Sequence, residues 1–149
     1  MQKIKILLIE DNPDDIMLAQ RALKKCGFEN NVVVTHNGIE ALDYLFNTSK
    51  DTNEEKALLP MVVLLDLKMP KMDGIETLKQ IRNNSKTAHI PVVILTSSDE
   101  EQDIALGYKY GANSYILKPV DFNKFLDIVS QLGLYWLTIN KTPPNMGNA

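Results

Sequence analysis

The chain alternates between short apolar blocks and stretches with helical spacing, and it does so five times. Ile4–Ile9 is apolar but for one lysine and stops at Glu10-Asp11-Asn12-Pro13. It is too short for a helix and apolar on both faces, which predicts a buried strand. Pro13 suits a first helical turn. Ile16, Met17, Ala19 and Leu23 then recur at helical spacing as far as Cys26, and Gly27 is a stop signal. Val32–Val34 is a β-branched strand, and Asn37-Gly38 opens a helix carrying Ala41, Leu42, Leu45 and Phe46. Met61–Leu65 predicts a third strand ending at Asp66, followed by a helix from about Gly74 with Ile75, Leu78 and Ile81 on one face. Pro91–Leu95 predicts a fourth strand, with a weaker helix from about Glu100 to Lys109 that Gly111 ends. Tyr115–Leu117 is a fifth strand, and Asp121 caps a last helix reaching about Leu137.

Strand followed by helix, five times, predicts an α/β domain: a doubly wound (βα)5 parallel sheet covered on both faces. Two segments exceed what five such units need. Residues 47–60 read as a long polar loop and residues 138–149, with Pro143-Pro144, as a loose tail. The core is expected over about 3–137, within one domain spanning 1–149.

The chain has 149 residues, of which 44% are hydrophobic and 23% charged. That mix is ordinary for a globular protein and excludes disorder as the main state. The formal net charge of −3 disfavours a nucleic-acid partner. No apolar run approaches the roughly 20 residues of a membrane span, and the start lacks signal-peptide architecture. Cys26, the single cysteine, allows no internal disulfide and suits a reducing cytosol. A cytoplasmic protein without membrane or direct DNA contact is therefore expected.

Ligands of open parallel sheets bind at the carboxyl ends of the strands. Here those ends carry Glu10 and Asp11, then Asp66, then Thr96, then Lys118-Pro119. Each residue alone has a bland reading: an aspartate at a strand end is ordinarily a turn former or cap, and Lys-Pro is a turn. Five such residues at corresponding ends of four strands point instead to a site. Glu10, Asp11 and Asp66 sum to −3 and Lys118 restores +1, so the deficit invites a divalent cation. Oxygen ligands with room for water suit Mg2+. Without a cation, like charges 4 Å apart repel by about 1 kcal/mol per pair in water and about 4 at an effective dielectric of 20. Asp14 is a candidate outer contributor. His36 and His89 have no partner at metal spacing, and no nucleotide-binding glycine loop is present.

In this combination the chain resembles the receiver domains of two-component response regulators over about residues 3–137. The motifs that carry the resemblance are Glu10-Asp11, then Asp66 with Met69-Pro70 and Asp73-Gly74, then Thr96-Ser97, then Lys118-Pro119. The polar loop 47–60 and the ending Leu132-Gly133-Leu134-Tyr135-Trp136 make it similar to the stand-alone regulators paired with phytochrome-type histidine kinases. The resemblance implies a flavodoxin-like sheet of order 2-1-3-4-5. It implies Asp66 as phospho-acceptor, with Mg2+ held by Asp11, Asp66, the backbone carbonyl of Lys68 and, through water, Glu10. It further implies Thr96 and Lys118 as phosphoryl partners, Thr96 and Tyr115 as switch residues, and a cis Lys118–Pro119 peptide.

The donor would be a phosphohistidine on a sensor histidine kinase, and the labile acyl phosphate would decay by hydrolysis. Lys68 and Ser98 should flank the approach of water, with Lys68 obstructing it. The short segment after the last helix is expected to carry no DNA-binding module. Output is therefore expected from a surface, with a symmetric homodimer through the fourth helix, fifth strand, fifth helix and C-terminal segment. Two alternatives stay open: a pseudo-receiver that binds partners without phosphate, and a metal-dependent phosphatase. Against the second, Lys68 stands where aspartyl-phosphate phosphatases need an acid.

Overall fold

The computed structural model describes residues 6–50, 59–119 and 121–143, with the side chains of 48–50 excepted. Five parallel strands are β1 (Ile6–Ile9), β2 (Val32–Thr35), β3 (Val62–Leu65), β4 (Val92–Thr96) and β5 (Ser114–Leu117), in the order β2-β1-β3-β4-β5. The helices are α1 (Pro13–Lys25), α2 (Gly38–Lys50), α3 (Gly74–Asn83), α4 (Glu101–Lys109) and α5 (Phe122–Gly133). The strand–helix alternation and the sheet order expected above are both present.

The sheet separates two cores. Leu7, Ile9, Val63, Leu65, Val92 and Ile94 face one side, with Ala41 and Leu45 of α2 and Leu78 and Ile81 of α3. Ile6, Leu8, Val62, Leu64, Val93 and Leu95 face the other, with Ala19 and Leu23 of α1 and Phe125 and Val129 of α5. The central strands β1, β3 and β4 are buried throughout, as their unbroken apolar sequences require. The edge strands β2 and β5 are only partly covered.

Local chemistry sets where the helices begin. Asn12 accepts from the amides of Asp14 and Asp15, Asn37 from Glu40, Asp73 from Glu76 and Asp121 from Asn123. Gly27 ends the α1 region at φ 85°, a conformation that is costly for a residue with a Cβ. At the amino ends of β4 and β5, one guanidinium ties the chain together. Arg82 donates to the carbonyls of Ala88, Ile90 and Gly111 and to Oδ1 of Asn113, at 2.7–3.1 Å.

Three details differ from the sequence reading. α2 continues to Lys50, into the segment read as loop, because nothing breaks its helical pattern at Asn47; residues 51–58 lie outside the described residues. A π-helical turn, Leu134–Ile139, prolongs α5 into the segment read as tail. Trp136 and Leu137 pack against the α1/α5-side core there, so the extra turn buries apolar surface. The Lys118–Pro119 peptide is trans, since no described peptide is cis; the two isomers of an X–Pro bond differ by only about 0.5–1 kcal/mol.

Candidate functional site

Strand register brings the polar residues together. Ile9 is level with Leu65, so the next residues, Glu10 and Asp66, sit side by side. Leu65 is level with Ile94 and Thr96 with Leu117, which sets Thr96 and Lys118 on the same rim. Asp66 remains in the ladder, its amide donating to the Ile9 carbonyl at 3.0 Å.

Carboxylate oxygens of Glu10, Asp11 and Asp66 lie within 4.8 Å of one another. Glu10 and Asp66 are buried, and Asp11 is half-buried. Asp66 Oδ1 accepts from the Leu67 amide at 2.8 Å, and its Oδ2 lies 3.6 Å from the Lys118 ammonium. Lys118 donates to Glu10 Oε1 at 2.5 Å and to Asp15 Oδ2 at 2.8 Å. Burial pushes the Glu10 carboxyl up to about 7; the hydrogen bond from Lys118 opposes that rise and the neighbouring charge of Asp66 adds to it. Burial also works against the Lys118 ammonium, but Asp15, Glu10 and Asp66 outweigh it and raise its pKa above that of an ordinary lysine. Three hard oxygen donors in a pocket this unfavourable to bare carboxylates fit a small divalent cation.

Thr96 is fully buried at the end of β4, and its hydroxyl oxygen faces the Ser98 amide at 3.4 Å. The Tyr115 hydroxyl donates to the Ser98 carbonyl at 2.7 Å. Lys71, in the loop after Asp66, holds φ 68°, a left-handed conformation uncommon without a glycine. Loops beside functional sites often store such strain.

Two participants escaped the sequence reading. Asp15, not the exposed Asp14, reaches Lys118. The signal was present, because Asp15 lies four residues before Ala19 and eight before Leu23, on the inward stripe of α1. Asp103 of α4 is the other. Its Oδ2 accepts from Ser98 Oγ at 2.6 Å and pairs with Lys68 Nζ at 3.2 Å. It precedes the buried Gly107 by one helical turn, the same kind of signal. His36 pairs with Glu40 at 3.0 Å on the exposed surface.

Comparison with known proteins is consistent with this geometry. Residues 6–130 match the model of the response regulator receiver domain. The chain is 39% identical to the probable methanogenesis regulatory protein FilR2 of Methanothrix harundinacea, over 93% of this chain and 86% of that protein. The crystal structure of the phosphorylated cyanobacterial phytochrome response regulator RcpA superposes with a TM-score of 0.83 at 36% identity, covering 95% of this chain and 99% of that one. The Mn2+-bound form of response regulator Rcp1 gives 0.79 at 32% identity, covering 93% and 97%.

Proposed function

This chain belongs to the response regulator receiver domain family, and on that premise we propose that Asp66 accepts a phosphoryl group from a phytochrome-type sensor histidine kinase and so switches a protein-binding surface. The observation that carries the reading is the acidic group itself: Glu10, Asp11 and Asp66 gathered within 4.8 Å, with Lys118 3.6 Å from the acceptor carboxylate. The whole chain, 1–149, acts as one cytoplasmic receiver without direct contact with DNA. Among the described residues, no helix is long and apolar enough to cross a membrane.

Phosphoryl transfer asks the protein mainly for alignment and charge neutralisation. Asp66 Oδ2 is the attacking oxygen, since Oδ1 is engaged by the Leu67 amide. The bond from phosphorus to the donor histidine nitrogen breaks as the bond to the aspartyl oxygen forms. Lys118, held by Glu10 and Asp15, then turns to a phosphoryl oxygen, and the Thr96 hydroxyl donates to another. Glu10, Asp11, Asp66 and the carbonyl of Lys68 would hold Mg2+. When bound, that ion neutralises charge on the nucleophile and the transferring oxygens; the Mn2+ reported for Rcp1 supports an ion of this class.

The switch rests on differential contact. A hydrogen bond from Thr96 to a charged phosphoryl group is worth about 1.5–3 kcal/mol, whereas a tenfold population shift needs about 1.4. Tyr115, whose hydroxyl already reaches the Ser98 carbonyl, reports that shift to α4 and β5. On that face and the adjoining turn, Tyr108, Leu117, Leu134 and Tyr135 are exposed. We assign it to a symmetric homodimer. Sedimentation of the chain with and without phosphorylation is expected to show a dimer; monomer alone at high concentration in both states would remove that part of the proposal.

The test of the acceptor reading is incubation with acetyl phosphate and Mg2+ followed by intact mass. A receiver gains one phosphoryl mass. A module that only binds partners gains none, and a phosphatase turns over added phosphomonoesters.

A further inference from the structure

One side chain outside the acidic pocket links the loops on either side of it. Asp103 Oδ2 takes the Ser98 hydroxyl at 2.6 Å and the Lys68 ammonium at 3.2 Å on a single oxygen. Lys68 follows the acceptor aspartate by two residues in the β3–α3 loop, and Ser98 follows Thr96 by two in the β4–α4 loop. Asp103 belongs to the first turn of α4. The Ser98 carbonyl in turn receives Tyr115. Both loops and the fourth helix therefore meet at one carboxylate, and the fifth strand joins them through the Ser98 carbonyl.

The Lys68 side chain is 65% exposed and that of Asp103 only 15%. The lysine is thus the mobile member, and the aspartate is the fixed post. Phosphorylation would replace the single negative charge of the Asp66 carboxylate by about −1.5 to −2 on phosphoryl oxygens two residues away from Lys68. One ammonium then has two competing acceptors, the Asp103 carboxylate and the phosphoryl oxygens.

The geometry points to Asp103 as a positioning residue that holds Lys68 away from the phosphoryl group and thereby sets the lifetime of the phosphorylated state, an inference that rests on Asp66 being the acceptor. In the decay step a water oxygen bonds to phosphorus and the bond between phosphorus and the Asp66 oxygen breaks. Asp66 leaves as carboxylate, phosphate departs as hydrogen phosphate with the water oxygen and one of its protons, and the other proton passes to solvent. Lys68 lying over the phosphoryl group obstructs that water. Lys68 bound to Asp103 leaves the approach open. The Asp103 pair consequently shortens the signal, and release of Lys68 also removes the charge partner of the first turn of α4.

The experiment is a double-mutant cycle on the full-length protein. Wild type, Asp103→Asn, Lys68→Ala and the double variant are charged with acetyl phosphate and Mg2+, freed of both, and followed by intact mass. Asparagine keeps an acceptor for Ser98 and removes the charge. Asp103→Asn is expected to lose its phosphoryl group about two- to fivefold more slowly than wild type, the range set by what an exposed ion pair is worth. Lys68→Ala decays faster than wild type, and the double variant decays at the Lys68→Ala rate, because Asp103 acts only through Lys68. Decay of Asp103→Asn at or above the wild-type rate, or equal slowing with and without Lys68, overturns the inference. No phosphoryl gain in wild type itself overturns the acceptor reading instead, a different and separately visible failure.

Discussion

Asparagine in place of Asp66 is expected to give a folded protein that takes up no phosphoryl group from acetyl phosphate under conditions where the wild type is charged. The amide is nearly the same size, and its oxygen can still accept from the Leu67 amide as Asp66 Oδ1 does. Lys118 keeps Glu10 and Asp15. What is lost is the nucleophilic oxygen and one of three crowded negative charges. The thermal midpoint of Asp66→Asn should therefore equal or exceed that of wild type, because a repulsive neighbour of Glu10 has gone. Intact mass and a melting curve check both halves. A phosphoryl mass that persists in Asp66→Asn would move the acceptor to another residue.

Gly74→Val is expected to destabilise the protein by about 3 kcal/mol and to depress phosphoryl uptake along with it. Gly74 starts α3, and its amide donates to the Leu67 carbonyl at 2.9 Å. A Cβ at this position would stand 2.3 Å from the Asp66 carbonyl oxygen and 2.7 Å from Leu67 Cα. Both are backbone atoms of the acceptor loop and cannot swing aside as a flexible side chain would. Chemical denaturation measures the stability loss, and acetyl phosphate charging measures the second effect. A variant with unchanged denaturation midpoint and unchanged charging would show that the helix start is not pressed against the acceptor loop.

How much of this was readable in advance follows from burial. β1, β3 and β4 are covered on both faces, so their sequences are apolar without interruption and easily seen as strands. The residues just beyond those runs, Glu10, Asp66 and Thr96, stand out because a buried block ends abruptly in polar chemistry. Asp15 and Asp103 carry no such contrast. They lie in the first turns of helices, where acidic residues are common for reasons of the helix dipole alone. Their helical spacing to Ala19 and Leu23 and to Gly107 puts each on an inward stripe, but which partner it meets there shows only in the three-dimensional rim. The end of α5 was hard for the opposite reason: Leu134 and Tyr135 are exposed while Trp136 and Leu137 pack inward, a pattern a regular helical period does not foretell across a π-helical turn.

Arg82 lies at the far edge of the sheet from the acidic pocket, yet it bears on what happens there. Its guanidinium grips the carbonyl of Gly111, just past the carboxyl end of α4, together with the chain entering β4 and β5. The amino end of α4 has no side-chain cap from Glu100 and is held instead through Asp103, by Ser98 and by the exposed Lys68. The fourth helix is thus moored at its heel by backbone carbonyls and at its toe by a charged contact, like a tiller on a fixed pin. The charged mooring is the one that a new charge at the pocket can loosen, and a release there lets the helix pivot about its heel.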